Sequence, residues 1–288
     1  MAVEAGLTFF SKSPIECPIC AAKFFREDMR TGRGRQIAGA LTGELRRTYE
    51  PSKQFGEVYP LIYPVMVCPE CYYAAYPDDF SAVPPAAVPD LHEKIDERRK
   101  SLDKIFPLLD FREARGLKEG VASYYFAALC YQSFTKHASP AFKQGVSFLR
   151  AAWLCNDLHQ KEPSENYDYL AAVFYRKARF FYTLAITWEQ DGTQSLSGAK
   201  TLGPDLDKNY GYDGVLYISG LLELHYGPKS NPQKRLAALD RAKKTVARIF
   251  GMGRASKNKP AAILDNAREV YDAIAREIEE IQGALENP

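Results

Sequence analysis

The sequence predicts a mainly α-helical α+β protein: a small, zinc-ribbon-like four-cysteine domain at the N-terminus, packed on a degenerate tetratricopeptide-like array of about seven helices. Three observations predict it. Four of the six cysteines fall in two C-P-x-C blocks near the start of the chain. Beyond residue 90, apolar residues recur at three and four positions, the spacing of a buried helical stripe. Between the two patterns lies Phe80-Ser-Ala-Val-Pro-Pro-Ala-Ala-Val-Pro89, whose prolines read as an extended connector. The expected domains are therefore residues 1–89 and residues 90–288.

The chain has 288 residues, 46% of them hydrophobic, enough for one large core or two modest ones. Its 38 Lys and Arg nearly balance 36 Asp and Glu, so any polyanion partner must be met locally rather than by overall charge. The first twenty residues lack the basic-then-apolar pattern of a signal peptide, and no apolar run approaches the length of a membrane span. The reading is a cytoplasmic protein without membrane insertion.

Cys17-Pro18-Ile19-Cys20 and Cys68-Pro69-Glu70-Cys71 each put two sulfurs on one tight turn. Two such turns supply the four soft ligands that tetrahedral zinc prefers, with no position left open for water. Cys17, Cys20, Cys68 and Cys71 are thus read as ligands of one structural Zn2+ per chain. Two other readings stand beside it: CxxC is also a thiol redox or disulfide pattern, and iron takes the same four sulfurs. Zinc knuckles usually carry Gly just after the second Cys, where the backbone angle turns positive; Ala21 and Tyr72 stand there. Between the blocks, Val58 to Val67 reads as an extended approach to the second block, with short strands flanking the metal.

Residues 26–53 form a local basic stretch: Arg26, Arg30, Arg33, Arg35, Arg46 and Arg47 lie among four glycines, partly offset by Glu27, Asp28, Glu44 and Glu50. A solvated or intramolecular face is the favoured reading, and contact with an anion or a partner the next. With Tyr49, Phe55, Tyr59 and Tyr63 as stacking surfaces, nucleic acid is a further one.

The helical part begins with Leu91, Ile95, Leu102 and Ile105 on one face, followed by a segment carrying Tyr124, Ala127, Tyr131 and Phe134. Ser139-Pro140 reads as an N-cap and first-turn proline ahead of the stripe Phe142, Val146, Leu149 and Trp153. Ser164 precedes a helix with Leu170, Phe174, Ala178, Phe181 and Ala185. After a polar break at 191–208 come helices at 212–224, 236–249 and 264–281, the last with Leu264, Ala267, Tyr271, Ile274, Ile278 and Ile281. Helix lengths and the mixture of Ala, Gly and aromatic residues resemble tetratricopeptide repeats, although no repeat of about 34 residues can be phased; an ordinary bundle is the alternative.

Little else carries chemistry. His92, His137, His159 and His225 are scattered, and no HExxH, GxSxG or phosphate-loop pattern occurs. Cys155 and His159 share a helical face, but Cys155 and Cys130 both sit in apolar contexts and read as packing. The tract Asp205 to Asp213 departs from calcium-loop spacing and reads as a helix-connecting cap, and Gly251-Met252-Gly253, ahead of Arg254 and Lys257, as a helix stop.

Cys17-Pro-Ile-Cys-Ala-Ala-Lys-Phe24, Val67-Cys-Pro-Glu-Cys-Tyr-Tyr-Ala-Ala-Tyr-Pro-Asp-Asp-Phe80 and Arg150-Ala-Ala-Trp-Leu-Cys155 together resemble the bacterial family catalogued as domain of unknown function 2225. In that family the blocks look like CPxCG and CPxCGYAA, so Ala21 and Tyr72 replace its glycines. The resemblance covers most of the chain and implies a paired-cysteine N-terminal domain and a tetratricopeptide-like C-terminal domain, with no established activity. The functional expectation is a zinc-stabilised scaffold or adaptor that binds a partner protein through its helices. Alternatives are a nucleic-acid module using residues 26–53, and a thiol or metal-dependent enzyme; a non-enzymatic role is favoured.

Overall fold

Strands of two to five residues, too short to stand alone, make up the N-terminal part of the computed structural model, which describes residues 6–250 and 261–286. They pair as antiparallel two-stranded ribbons. β1 (Thr8–Phe10) pairs with β4 (Glu27–Met29) and encloses the hairpin of β2 (Ile15–Glu16) and β3 (Lys23–Phe24). β5 (Ile37–Leu41) pairs with β6 (Arg47–Glu50) through a register shift between Ala38 and Leu41, and β7 (Met66–Val67) with β8 (Ala74–Ala75). The expected short strands beside the cysteine blocks are β2, β3, β7 and β8. The approach to the second block is not extended throughout: Pro60–Ile62 forms a 3-10 turn, with Pro60 in its first position, where a missing N–H costs nothing.

Three short helices follow: α1 (Pro77–Phe80), α2 (Val88–Glu93) and α3 (Ile95–Lys100). The proline stretch is therefore helical from Pro85 onward, because Pro89 falls in the first turn of α2, which tolerates it. The expected helix through Ile105 is interrupted at Lys94 and again after Lys100; Leu91 and Leu102 are buried, while Ile105 is exposed.

The remainder is an array of long helices: α4 (Leu117–Cys130), α5 (Pro140–Lys161), α6 (Tyr167–Asp191), α7 (Gly211–Tyr226), α8 (Pro232–Phe250) and α9 (Ala261–Glu286). Each packs on the next, and α7 also touches α9, as in a tetratricopeptide-like array. The last helix keeps Ala267, Ile274 and Ile278 of its expected stripe buried, but Ile263 and Val270 complete the buried face while Leu264, Tyr271 and Ile281 are half-buried beside it. The Gly251-Met252-Gly253 break with Arg254 and Lys257 lies outside the described residues.

Helix α5 departs from a one-sided stripe. From Pro140 to Cys155 every residue is buried, since α4 and α6 flank it and the N-terminal ribbons cover what would have been its wet face. Its polar residues are consequently partnered: Lys143 pairs with Asp79 at 2.6 Å, Gln144 donates to Ala128 O at 3.0 Å, and Arg150 Nε donates to Pro204 O at 2.8 Å. Ser139 does not cap α5 through its side chain; it adopts a left-handed conformation and donates to Ser195 O at 2.6 Å.

The ribbons and helices share one apolar core, running from Cys17, Leu45 and Ala74 to Trp153 and Ile274. At the seam, Ile62 lies directly on Gly120 of α4, where a Cβ would come within 2.6 Å of Ile62 Cγ2 and 2.9 Å of its Cβ. Gly120→Val is expected to lower stability by about 1–3 kcal/mol, as overpacking does. Urea unfolding checks this, and an unchanged midpoint would show that the seam yields.

Candidate metal centre and the basic segment

The two cysteine turns are built alike. Cys17 N–H donates to Ala22 O and Ala21 N–H to Cys17 O, both at 2.9 Å. Cys68 N–H donates to Tyr73 O at 2.9 Å and Tyr72 N–H to Cys68 O at 3.0 Å. The return of the chain after each second cysteine demands a left-handed residue, and Ala21 (φ 59°) and Tyr72 (φ 53°) adopt it without glycine's freedom. Tyr72 is held there by its ring, which stacks on Phe126 at 4.9 Å between centroids and meets Phe111 edge-on.

The turns bring their sulfurs together. Cys17 Sγ lies 3.6 Å from Cys71 Sγ, and Cys20 Sγ 3.6 Å from Cys68 Sγ. All four sulfurs lie within 4.8 Å of one another, close enough to coordinate a metal ion. A tetrahedron with metal–sulfur bonds of about 2.3 Å has edges of about 3.8 Å, whereas a disulfide requires about 2.05 Å. Both close contacts cross between blocks, so the four sulfurs form one site and not two.

Electrostatics describe the same group. Hydrogen bonds with Cys17 and Cys71 pull the Cys68 thiol far below its ordinary value, while the one with Cys68 pushes Cys17 up to about 12. Cys71 is pushed up by its hydrogen bonds with Cys17 and Cys68. Four adjacent sulfurs cannot all ionise unaided; a divalent cation at their centre would supply the countercharge, and the soft donor set fits zinc.

The surroundings suit an anionic centre. Arg98 of α3 is 3% exposed and donates through Nε to Cys71 O at 3.2 Å, while its Nη2 is buried without a hydrogen-bond partner. It makes no salt bridge among the described residues. A buried cation needs a negative partner. Four thiolates around a divalent metal carry a net charge of minus two, and two disulfides carry none. Arg99 steadies the same turn, donating to Glu70 O at 2.7 Å.

The other two cysteines stand apart from this cluster. Burial pushes Cys130 up to about 11 and raises Cys155 as well, the reverse of what a thiol nucleophile needs. Both are enclosed in the core. His159 lies 4.0 Å from the Asp168 carboxylate.

The basic segment divides. Arg46 forms a forked pair with Asp157 on α5, 3.1 Å at Nη1, and also donates to Trp153 O at 3.3 Å. Arg47 pairs with Asp207 at 3.0 Å, and its backbone N–H donates to the Asp205 carboxylate. Arg26 pairs with Asp28 at 2.7 Å, and Arg35 is buried over the Phe55 ring. Arg30 lies over Phe9, and Arg33 is exposed in a left-handed turn. Arg46 and Arg47 thus act as an intramolecular clamp. The acidic tract after Gly203 receives the chain's own arginine, and its Asn209 accepts from Gly211 N–H at 2.9 Å where α7 begins.

Between these arginines and the helices sits Glu44, which sequence reasoning counted only as an offsetting charge. It lies in the β5–β6 turn beside Leu45, which is fully buried. Trp153 Nε1 and the Tyr175 hydroxyl donate to its Oε2, the latter at 2.9 Å, and Tyr217 donates to Gly43 O. Burial raises the Glu44 carboxyl above its ordinary value. No local signal distinguishes it, since its hydrogen-bond partners come from α5 and α6.

Fold and cluster define a class of protein: a four-cysteine ribbon module carried on a helical-repeat-like array. No helix among the described residues is long and apolar enough to cross a membrane. The chain belongs to the family described as "Uncharacterized protein conserved in bacteria (DUF2225)", whose model matches residues 10–274. It is 44% identical over 277 residues to an "Uncharacterized protein" of Borreliella burgdorferi, covering 96% of this chain and 99% of that one. No solved structure matches it.

Two outcomes follow from the local geometry. Ala21→Gly is expected to stabilise the fold by about 1 kcal/mol by relieving a left-handed alanine, whereas Tyr72→Gly destabilises it because the packed ring is lost; denaturant midpoints separate the two. For Glu44 the folded pKa is raised, so the native state holds a proton that the unfolded chain releases. Its contribution to stability therefore declines as pH rises from the ordinary carboxyl value of 4.5 through the raised one. Glu44→Gln should gain on the wild type as pH rises above the ordinary carboxyl value of 4.5 in urea unfolding, and a gap constant with pH would refute the assignment.

Proposed function

We propose that the protein is a zinc-stabilised scaffold. Residues 1–89 form a module ordered by one Zn2+ on Cys17, Cys20, Cys68 and Cys71, and residues 90–288 form a helical domain that presents the surface for a partner protein. The observation that carries this reading is the closed set of four sulfurs, accompanied by no histidine or carboxylate among the described residues. Such a site leaves no coordination position for water or substrate, so its metal organises rather than reacts. The buried Arg98, which donates to Cys71 O and has Nη2 without a hydrogen-bond partner, favours the charged metal centre over neutral disulfides.

The nucleic-acid reading loses half of its arginines, since Arg26, Arg46 and Arg47 are engaged by carboxylates of the same chain. The thiol-enzyme reading is disfavoured by the burial of Cys130 and Cys155. What remains available is the exposed surface of the helical array, and such arrays bind partners on extended surfaces.

Metal analysis of the native protein is expected to find one tightly bound zinc per chain, lost in both Cys17→Ser and Cys68→Ser. Independent disulfides, or no metal in the native protein, would overturn the metal assignment. Cross-linked affinity capture tests the scaffold role, with a partner reproducibly retained by the full chain as the expected result and none as the contrary one.

A further inference from the structure

A second feature lies far along the chain from the cysteines, on the helical array. A groove of about 320 Å³ runs between α6, α7 and α8. Arg241, Lys244 and Arg248 line it from α8, on successive turns of one face, and Arg179 lines it from α6. Its carboxylate, Glu223, is already taken twice, by Arg179 at 2.6 Å and by the buried Arg235 at 3.2 Å. Arg241, Lys244 and Arg248 make no ion pair among the described residues. Three cations held side by side, with the groove's carboxylate already engaged by other arginines, repel one another, and a bound anion relieves that repulsion.

We infer that this groove binds an extended acidic segment of a partner protein. The inference rests on the scaffold reading and names the chemistry of its partner. Arg241 to Arg248 spans seven residues of helix, a rise of about 10 Å. An extended peptide rises about 3.4 Å per residue, so about four residues, with Asp or Glu at alternate positions, cover the cations. The opposite polarity comes from two threonines. Thr187 Oγ1 donates to Thr183 O and Thr245 Oγ1 to Arg241 O, both at 2.9 Å, so each hydroxyl has spent its proton on its own helix and offers only acceptor lone pairs. A peptide backbone supplies N–H donors to such acceptors, and a phosphodiester backbone supplies none. The remaining walls are Ile186, Gln190, Ser219, Ala238 and Ala242, with no aromatic face on which a base would stack.

The test uses the full chain and a fluorescein-labelled octaglutamate peptide, followed by anisotropy. Binding is expected at about 50 mM salt and should weaken as salt rises to about 300 mM. Arg241→Glu with Arg248→Glu is expected to weaken it at least about tenfold, while Arg30→Glu with Arg33→Glu on the N-terminal ribbons leaves it unchanged. Both pairs are exposed, and an unaltered melting temperature verifies the fold. Absence of peptide binding, or equal loss in the ribbon variant, overturns the inference. So does tighter binding of an oligothymidylate of equal charge that is abolished by the groove variant, which would assign the groove to nucleic acid. Partner capture separates the two levels: partners retained by the Arg241→Glu/Arg248→Glu protein sink the groove and leave the scaffold standing, whereas no partner with the wild type sinks the scaffold itself.

Discussion

Convergence of four sulfurs from two turns, with residues 21–67 looped out between them, is the constraint on which the N-terminal half of the architecture rests. Ribbons of two residues do not persist in water unaided, and closing so long a loop costs conformational entropy. The sulfur cluster supplies what the strands lack: a fixed point from which β2–β3 and β7–β8 diverge. The second turn is also the attachment to the helices. Tyr72 stacks on Phe126 of α4, Ala74 N–H meets Cys130 Sγ at 3.4 Å, and Arg98 and Arg99 hold the turn's carbonyls from α3. A disturbance at the cysteines is thereby transmitted to the start of the helical array.

A second attachment, at the tip of the β5–β6 ribbon, explains why α5 has no wet face. Leu45 enters the core, Glu44 meets Trp153 and Tyr175, and Arg46 and Arg47 find carboxylates on α5 and in the loop before α7. These contacts turn a basic segment into part of the folding machinery. The functional consequence is a displacement. Half of the arginines that the sequence advertises at residues 26–53 are engaged by carboxylates within the chain, while charge less conspicuous in the sequence, on α8 beside a groove, makes no ion pair among the described residues.

Legibility followed the range of the interactions. The cysteine cluster was readable because C-P-x-C is a local pattern that brings sulfurs together in pairs, and the helices were readable because periodicity is local too. The left-handed residues at Ala21 and Tyr72 could be anticipated from the turn itself. What escaped was the partner of each charged residue. Arg46 and Arg33 look alike in sequence, yet one is clamped to Asp157 and the other stands in water. Likewise the Asp205 tract has the composition of a loose cation loop but serves Arg47, and the stripe expected on α5 misses a second covered face.

The sequence by itself determined the four-sulfur chemistry, the helical character of the remainder and its approximate limits, because each is written in spacings of two to four residues. Only the tertiary structure decided that both blocks share one centre, that ribbons and helices share one core, and which cations are spent. The physical reason is that Coulomb and packing energies depend on separation in space, and residues 46 and 157, or 44 and 153, become neighbours only once the chain has folded.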